Sequence, residues 1–361
     1  MTGSPLRLGL LPLLGALAAC GNDYTAPCTS PAGEISGGLL TRLDCRAHFV
    51  SVAGPRSQLA AIASLPAGSA VLVVRDPDYL VLLTSDTTRA IPLLLPDSVD
   101  HERPIGVAVT DDTLASVLFY PLGDIAAYSL PRLSQLSVSR SVPRASSLAP
   151  WRGGHVVTHA ARDSGIVVST AALGPDSPSP ALFAERFRTA PRAANLFGRG
   201  LIAAGDSGLA VISDVADVAV LLSRNLRVRD SVTFVIRLRD GAPRDVAATI
   251  ARLDAAGPAL SRIGASSPAV LAFGEAGSLR VVFEDLELEA GAWGSQAYIS
   301  SARPRGGTAC ADVPIEGPSF PRRRFAFRGD TLFIAWLDPH QETRVVLERR
   351  LFDASRCAPS P

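Results

Sequence analysis

Leu201-Ile202-Ala203-Ala204-Gly205-Asp206-Ser207-Gly208-Leu209-Ala210-Val211-Ile212-Ser213-Asp214 is the stretch on which the fold turns. Two aliphatic runs of strand length flank a Gly-Asp-Ser-Gly turn. Glycine reaches positive φ at little cost and aspartate tolerates it, so this reads as a tight β-hairpin. The same theme recurs in both directions. Val71–Val74 turns through Arg75-Asp76-Pro77-Asp78 into Tyr79–Thr84, and Ile105–Val109 turns through Asp111-Asp112 into Leu114–Tyr120. Ile125–Leu130 follows Gly123-Asp124, and His155–His159 turns through Asp163-Ser164-Gly165 into Ile166–Ser169. Val232–Leu238 turns at Asp240-Gly241, and Ala269–Phe273 turns through Gly274 to Gly277 into Leu279–Phe283. Arg324–Phe327 turns at Gly329-Asp330 into Leu332–Trp336, with a third run at Arg344–Leu347. Val246–Leu253 suits a short helix or a strand equally.

Short apolar runs bounded by turn residues, with amphipathic helices scarce, predict an all-β chain. Turns near residues 77, 111, 163, 206, 240, 275 and 329 suggest modules of about 35–50 residues, the spacing of propeller blades. The expected fold is a β-propeller of six or seven blades. The rival is a partial β-array over 45–222 followed by C-terminal β-sandwich domains, with Asp230–Gly241 as an opening strand. Residues 201–214 also resemble the LVIVD-type propeller repeat, which runs strand, glycine–aspartate hairpin, then an aliphatic strand ending in Asp. That family is mixed in function, so the resemblance implies a fold and says little about activity.

The N-terminus carries a different signal. In MTGSPLRLGLLPLLGALAACGND, Arg7 precedes a short apolar run, Leu8 to Leu17, and Leu17-Ala18-Ala19-Cys20 closes it. The run is shorter than the roughly 20 residues a membrane span needs. It resembles a bacterial lipoprotein signal peptide with its lipobox. The resemblance implies cleavage before Cys20 and lipidation of that cysteine, with several acyl chains holding the mature protein to a membrane. Gly21 stands where an inner-membrane retention signal carries Asp, so the resemblance favours the outer membrane in a double-membraned bacterium. Domains are expected as 1–19 signal peptide, 20–44 lipidated cysteine and Gly/Ser/Pro-rich tether, and 45–361 propeller-like domain.

Composition narrows the function classes. Of 361 residues 47% are apolar, enough for a sizeable core, and formal net charge is +1. No like-charge block appears, which argues against a nucleic-acid partner. All 35 basic residues are arginine. Without lysine there is neither a Schiff-base nucleophile nor a P-loop lysine. With Cys20 assigned to lipid, Cys28, Cys45, Cys310 and Cys357 form an even set in an exported chain and are candidates for disulfides. Cys28–Cys45 with Cys310–Cys357 is one arrangement; bonds between the N- and C-terminal pairs are the other. No CxxC spacing suggests zinc, and no cofactor is expected.

Catalytic motifs are weak. Gly205-Asp206-Ser207-Gly208 resembles the nucleophile motif of trypsin-like proteases, but Leu209 replaces the final glycine and no histidine has the matching setting. His155 and His159, if on one strand, lie about 13 Å apart, too far to share a metal, and read as surface or pocket-lining. His48, His101 and His340 form no ligand pattern. Asp76, Asp78, Asp111, Asp112, Glu284 and Asp285 are candidate calcium ligands or solvated turn acids. Arg328-Gly329-Asp330 resembles an integrin-binding tripeptide and also suits a hairpin turn. Arg322-Arg323-Arg324 reads as a solvated loop that adds weak attraction to an anionic membrane. The expected function is a membrane-anchored envelope lipoprotein that binds or scaffolds, with an envelope protein or polysaccharide as partner. The alternatives are a metal-dependent propeller hydrolase or lactonase of the envelope and a modular β-sandwich lipoprotein with a structural or adhesive role.

Overall fold

The computed structural model describes residues 28, 33–35, 38–95, 102–130, 132–152, 154–161, 165–171, 181–185, 200–213, 218–234, 266–289, 292–304, 307–318 and 322–357. The N-terminal strands are β1 (Gly33–Ile35) and β2 (Leu40–Phe49). Four-stranded antiparallel sheets follow one after another. The first holds β3 (Gln58–Ser64), β4 (Ala70–Arg75), β5 (Tyr79–Leu83) and β6 (Thr88–Pro92). The second holds β7 (Arg103–Thr110), β8 (Leu114–Tyr120), β9 (Asp124–Ser129) and β10 (Ser134–Arg140). The third holds β11 (Ala145–Trp151), β12 (Gly154–Ala161), β13 (Gly165–Ala171) and β14 (Ala181–Glu185). The fourth holds β15 (Gly200–Gly205), β16 (Gly208–Ser213), β17 (Val218–Ser223) and β18 (Val228–Thr233). The fifth holds β19 (Ser266–Phe273), β20 (Leu279–Glu289), β21 (Ala292–Arg303) and β22 (Gly307–Ile315).

The last sheet closes the ring. β23 (Arg324–Arg328), β24 (Thr331–Asp338) and β25 (Gln341–Phe352) come from the C-terminus, and β2 and β1 complete the sheet in the order β1-β2-β25-β24-β23. The β2–β25 register runs from Leu40 opposite Phe352 to Phe49 opposite Arg344. The first strand of each sheet contacts that of the next, β3–β7–β11–β15–β19–β23 and back to β3. Six sheets therefore stand around one central channel, as blades of a β-propeller.

The strand sequences follow from this packing. Central blade strands are covered on both faces, so β4 (AVLVVR) and β5 (YLVLL) are apolar almost throughout. Period-two alternation divides them between neighbours. Val71, Val73, Leu80 and Leu82 pack with Val117, Phe119 and Tyr128 of the second sheet. Leu72, Val74, Val81 and Leu83 pack with Phe333, Ala335, Val345 and Leu347 of the last. Each Val, Leu or Phe among them contributes about 1.5–3 kcal/mol on burial. The outer strand β10 (SQLSVSR) meets solvent and is largely polar.

Several expectations change. The proposed sandwich boundary near residue 223 does not exist, because β17 ends at Ser223 and β18 pairs straight back on it, Ala219 opposite Val232. The seven turns did not mark seven equivalent modules. Those at 111, 206, 275 and 329 join first and second strands, whereas that at 77 joins second and third strands; residue 163 lies outside the described residues. The turn at 240 and the Val246–Leu253 segment lie outside the described residues. β-structure also begins upstream of residue 45, since β1 and the first half of β2 come from the segment read as a tether.

Both disulfides of the first arrangement are present. Cys28–Cys45 spans 5.1 Å between Cα atoms and pins the start of the described chain to β2. Cys310–Cys357 spans 5.2 Å and ties β22 of the fifth sheet to the turn after β25. The chain ends are thus joined by strand pairing, not by a bond between N- and C-terminal cysteines.

Candidate functional site: an arginine-lined channel mouth

The six inner strands run in one direction along the channel, so residues at their starts share one end of it. β3 starts at Gln58, opposite Arg75, and β7 starts at Arg103, opposite Tyr120. Arg144 immediately precedes β11, and Arg322 and Arg323 precede β23, which opens on Arg324. Glu284 of β20 lies opposite Ser267, near the start of β19. Arg75, Arg103, Tyr120, Arg144, Glu284 and Arg322 to Arg324 border a cavity of about 550 Å³. Deeper in, its wall is apolar and small, with Ala60, Ile62, Val107, Leu148, Ile202 and Leu271.

The charged groups are unequally satisfied. Arg322 donates to Glu284 Oε2 from Nη2 at 3.0 Å and from Nε at 3.3 Å. The Glu284 side chain is only 1% exposed, and its Oε1 has no hydrogen-bond partner among the described residues. Arg324 donates from Nε to the Ala60 carbonyl at 2.9 Å. Burial pushes its pKa down to about 9, reinforced by the positive charge of Arg322 and opposed by Glu284. Arg75 donates to Gln58 Oε1 at 3.3 Å, while its buried Nε finds no partner among the described residues. Its pKa is lowered by burial; Asp76 opposes the shift and Arg103 adds to it. Arg103 and Arg144 are exposed, and neither guanidinium forms a hydrogen bond or ion pair among the described residues. Arg323 turns away: it donates to the Ile315 carbonyl at 2.8 Å and lies 5.5 Å over the Phe325 ring. Burial lowers its pKa to about 10.

Such a mouth can bind. Guanidinium groups present planar, paired donors that match oxyanions and cannot serve as general bases at neutral pH. Arg322-Arg323-Arg324 is therefore not the solvated loop expected from sequence: the three side chains engage Glu284, the Ile315 carbonyl and the Ala60 carbonyl.

The other predicted residues separate. Glu284 is no turn acid but a buried strand residue at the channel. Asp76 and Asp78 flank the β4–β5 turn at the mouth end, while Asp111 and Asp112 sit in the β7–β8 turn at the opposite end. Asp285 lies on β20. Among the described residues no three His, Cys, Asp or Glu side chains converge to hold a metal ion. Among the described residues the mouth is lined by arginines and the single carboxylate of Glu284.

His155 is not surface or pocket-lining as expected. It is 2% exposed within β12, both ring nitrogens lack partners among the described residues, and burial lowers its pKa to about 4. His159 is on the same strand, opposite Ala145 and Val167. His48 is on β2, and its pKa is lowered by burial and by Arg46. The backbone N–H of His340 donates to Asp338 at 2.9 Å in the β24–β25 turn. His101 and Cys20 lie outside the described residues.

Gly205-Asp206-Ser207-Gly208 is the β15–β16 hairpin. A Cβ on Gly205 would meet the Phe273 ring at 2.7 Å, and one on Gly208, at φ +149°, would run into the Leu222 carbonyl. Arg328-Gly329-Asp330 is the β23–β24 hairpin, and its charges are engaged within the protein. Arg328 pairs with Asp112 at 2.8 Å, and Asp330 pairs with the buried Arg280, which also donates to the Gly329 carbonyl at 2.8 Å.

Arg75, Arg103 and Arg144 escaped the sequence reading. Their one signal is position, each at the edge of an apolar strand, and in a chain with 35 arginines that position does not stand out.

No protein-family model matches the chain, and no curated protein matches it either. Solved structures do. The Myxococcus xanthus glutaminyl cyclase is similar at 13% identity and a TM-score of 0.37, covering 65% of this chain and 90% of its own. A protein of unknown function from Bacteroides thetaiotaomicron is similar at 9% identity and a TM-score of 0.45, covering 90% and 84%. The U3-55K structure is similar at 12% identity and a TM-score of 0.46, covering 84% and 98%. At these scores none carries an argument about function.

Proposed function

We propose that the protein is a lipid-anchored binding propeller of the bacterial envelope, with the channel mouth as its ligand site. The observation that carries this reading is convergence. Arg75, Arg103, Arg144, Glu284 and Arg322 come from or adjoin five different blades, and they meet at one open cavity with donors to spare. Structural arginines are held by fixed partners; those of Arg103 and Arg144 are not, among the described residues.

The lipobox at Leu17–Cys20 supports the anchoring half of the proposal. Cys28 is fixed to β2 on the rim of the closing blade. Eight residues of chain reach at most about 28 Å, so a lipid on Cys20 holds that rim close to the membrane surface.

Two measurements test the proposal. Cys20→Ser should move the protein from membrane to soluble fractions and abolish acyl-lipid labelling; unchanged fractionation refutes the anchor. A panel of anionic, neutral and cationic small molecules should include at least one that raises the thermal midpoint of the wild-type chain, and less so that of Arg103→Gln/Arg144→Gln. A panel without such a member refutes the mouth as a binding site.

A further inference from the structure

Charge and shape at the mouth say what kind of ligand it takes, granted that the mouth is a binding site. Six arginines line it; Arg323 is turned onto the Ile315 carbonyl, which leaves the guanidinium groups of Arg75, Arg103, Arg144, Arg322 and Arg324. Three carboxylates stand against them. Glu284 is in the wall, and Asp76 and Asp78 flank the adjoining β4–β5 turn, where both act on Arg75. Five positive groups against three negative ones leave two positive charges without a counterpart. Two other nearby acids face Arg140 on the outer strand pair of the second blade: Asp124 holds it at 2.8 Å, and Glu102, which accepts from the Leu122 backbone N–H, acts on the same guanidinium.

The arginines repel one another. Arg103 and Arg322 both act against the charged form of Arg75, and Arg322 and Arg75 act against that of Arg324. An anion between them relieves this repulsion, whereas a neutral ligand leaves it in place. The cavity, about 550 Å³, is large enough for an organic molecule and not only an inorganic ion. Its deeper wall is apolar and suits a carbon body. Glu284 also lies in the wall, and its Oε1 is buried without a hydrogen-bond partner among the described residues. Such an atom is costly unless something donates to it.

We infer that the channel mouth binds a small organic dianion, a phosphate monoester or a dicarboxylate, that also carries a hydroxyl or ammonium donor. The anionic group sits among Arg75, Arg103, Arg144 and Arg322, and the donor reaches Glu284 Oε1. Phosphate and dicarboxylate share the chemistry the arginines recognise, two negative charges on oxygen. They are separated as arms of the test.

The test is calorimetric titration of the full chain at low ionic strength with glucose 6-phosphate, malate, inorganic phosphate, glucose and spermidine. Saturable one-to-one binding of glucose 6-phosphate or malate is expected, at least about tenfold tighter than glucose and weakened by added salt. Arg103→Gln/Arg144→Gln should weaken it about tenfold or more, as each charged hydrogen bond lost costs that much. Both residues are exposed and unpaired among the described residues, so the variant should keep its circular dichroism and thermal midpoint. Arg227→Gln, in the β17–β18 turn at the opposite end of the blades, should change nothing. Preference for inorganic phosphate over both organic dianions overturns the role given to Glu284. Tighter binding of glucose or spermidine overturns the dianion while leaving the mouth a binding site. Absence of binding by any probe, or dianion binding insensitive to the double variant, overturns the inference, and the first of these counts against the mouth as well.

Discussion

Replacing Asp330 by Ala separates the structural role of the Arg328-Gly329-Asp330 turn from an adhesive one. Asp330 neutralises Arg280, whose side chain is 1% exposed and lies 5.4 Å from the Phe352 ring centroid. Removing the carboxylate leaves a buried guanidinium that donates to the Gly329 carbonyl and, among the described residues, has no counter-charge. Breaking a buried pair in this way costs about 3–5 kcal/mol. Asp330 is itself 26% exposed, so water recovers part of that, and about 2–4 kcal/mol is expected. Two positions earlier, Arg328–Asp112 is an ion pair with both side chains more than 40% exposed, and Arg328→Gln should cost at most about 1 kcal/mol. Equilibrium urea unfolding reads both. With a slope of about 3 kcal/mol per molar urea, Asp330→Ala should lower the midpoint by about 1 M and Arg328→Gln by less than 0.3 M. Equal small shifts would refute the assignment of Asp330 as the counter-charge of a buried cation. If Asp330→Ala left stability intact while abolishing cell adhesion, the turn would be a recognition motif after all.

Further outcomes follow from the disulfides and the buried histidine. Exported, unreduced protein should show no reactive thiol at Cys28, Cys45, Cys310 or Cys357 by thiol labelling and peptide mapping. Serine substitution of the Cys310–Cys357 pair, which closes 47 residues, should destabilise the chain by about 4 kcal/mol. The Cys28–Cys45 pair closes 17, and its loss should cost about 3 kcal/mol by chain entropy, read again in urea. His155 is buried neutral with a pKa of about 4, below its unfolded value of about 6.5. Below pH 6.5 the unfolded chain takes up a proton that the folded chain refuses. Its contribution is therefore whole above pH 6.5 and is lost as pH falls to 4, about 3 kcal/mol in all. His155→Leu should flatten the urea midpoint between those pH values, and an unchanged slope would show that His155 does not titrate in this way.

The hairpins were legible because their causes are local. Gly205–Gly208, Asp111-Asp112 and Gly329-Asp330 carry turn chemistry within four residues, and the aliphatic runs beside them need only period two. Asp76, Asp111 and Asp112 do adopt positive φ, at 59°, 49° and 56°, as turn aspartates should. The number of blades was less legible, because a turn between first and second strands looks the same in sequence as one between second and third. The closing blade was not legible at all. Nothing in residues 40–49 announces that they pair with 344–352, since antiparallel pairing needs only a matching alternation and any blade edge offers it.

What the sequence determined by itself is therefore the all-β character, the positions of most turns, the even set of four cysteines and the resemblance of residues 17–20 to a lipobox. Each rests on residues near one another in the chain or on composition. Tertiary structure alone decided the ring of six, the partner of each cysteine and the arginine mouth. Arg75, Arg103, Arg144, Glu284 and Arg322 span most of the chain, and they meet only because the ring closes and brings the starts of its inner strands to one end of the channel. In sequence they are strand-edge arginines and a glutamate among many. Around the channel they are a concentration of positive charge, because repulsion and burial depend on distance in space and not on separation along the chain.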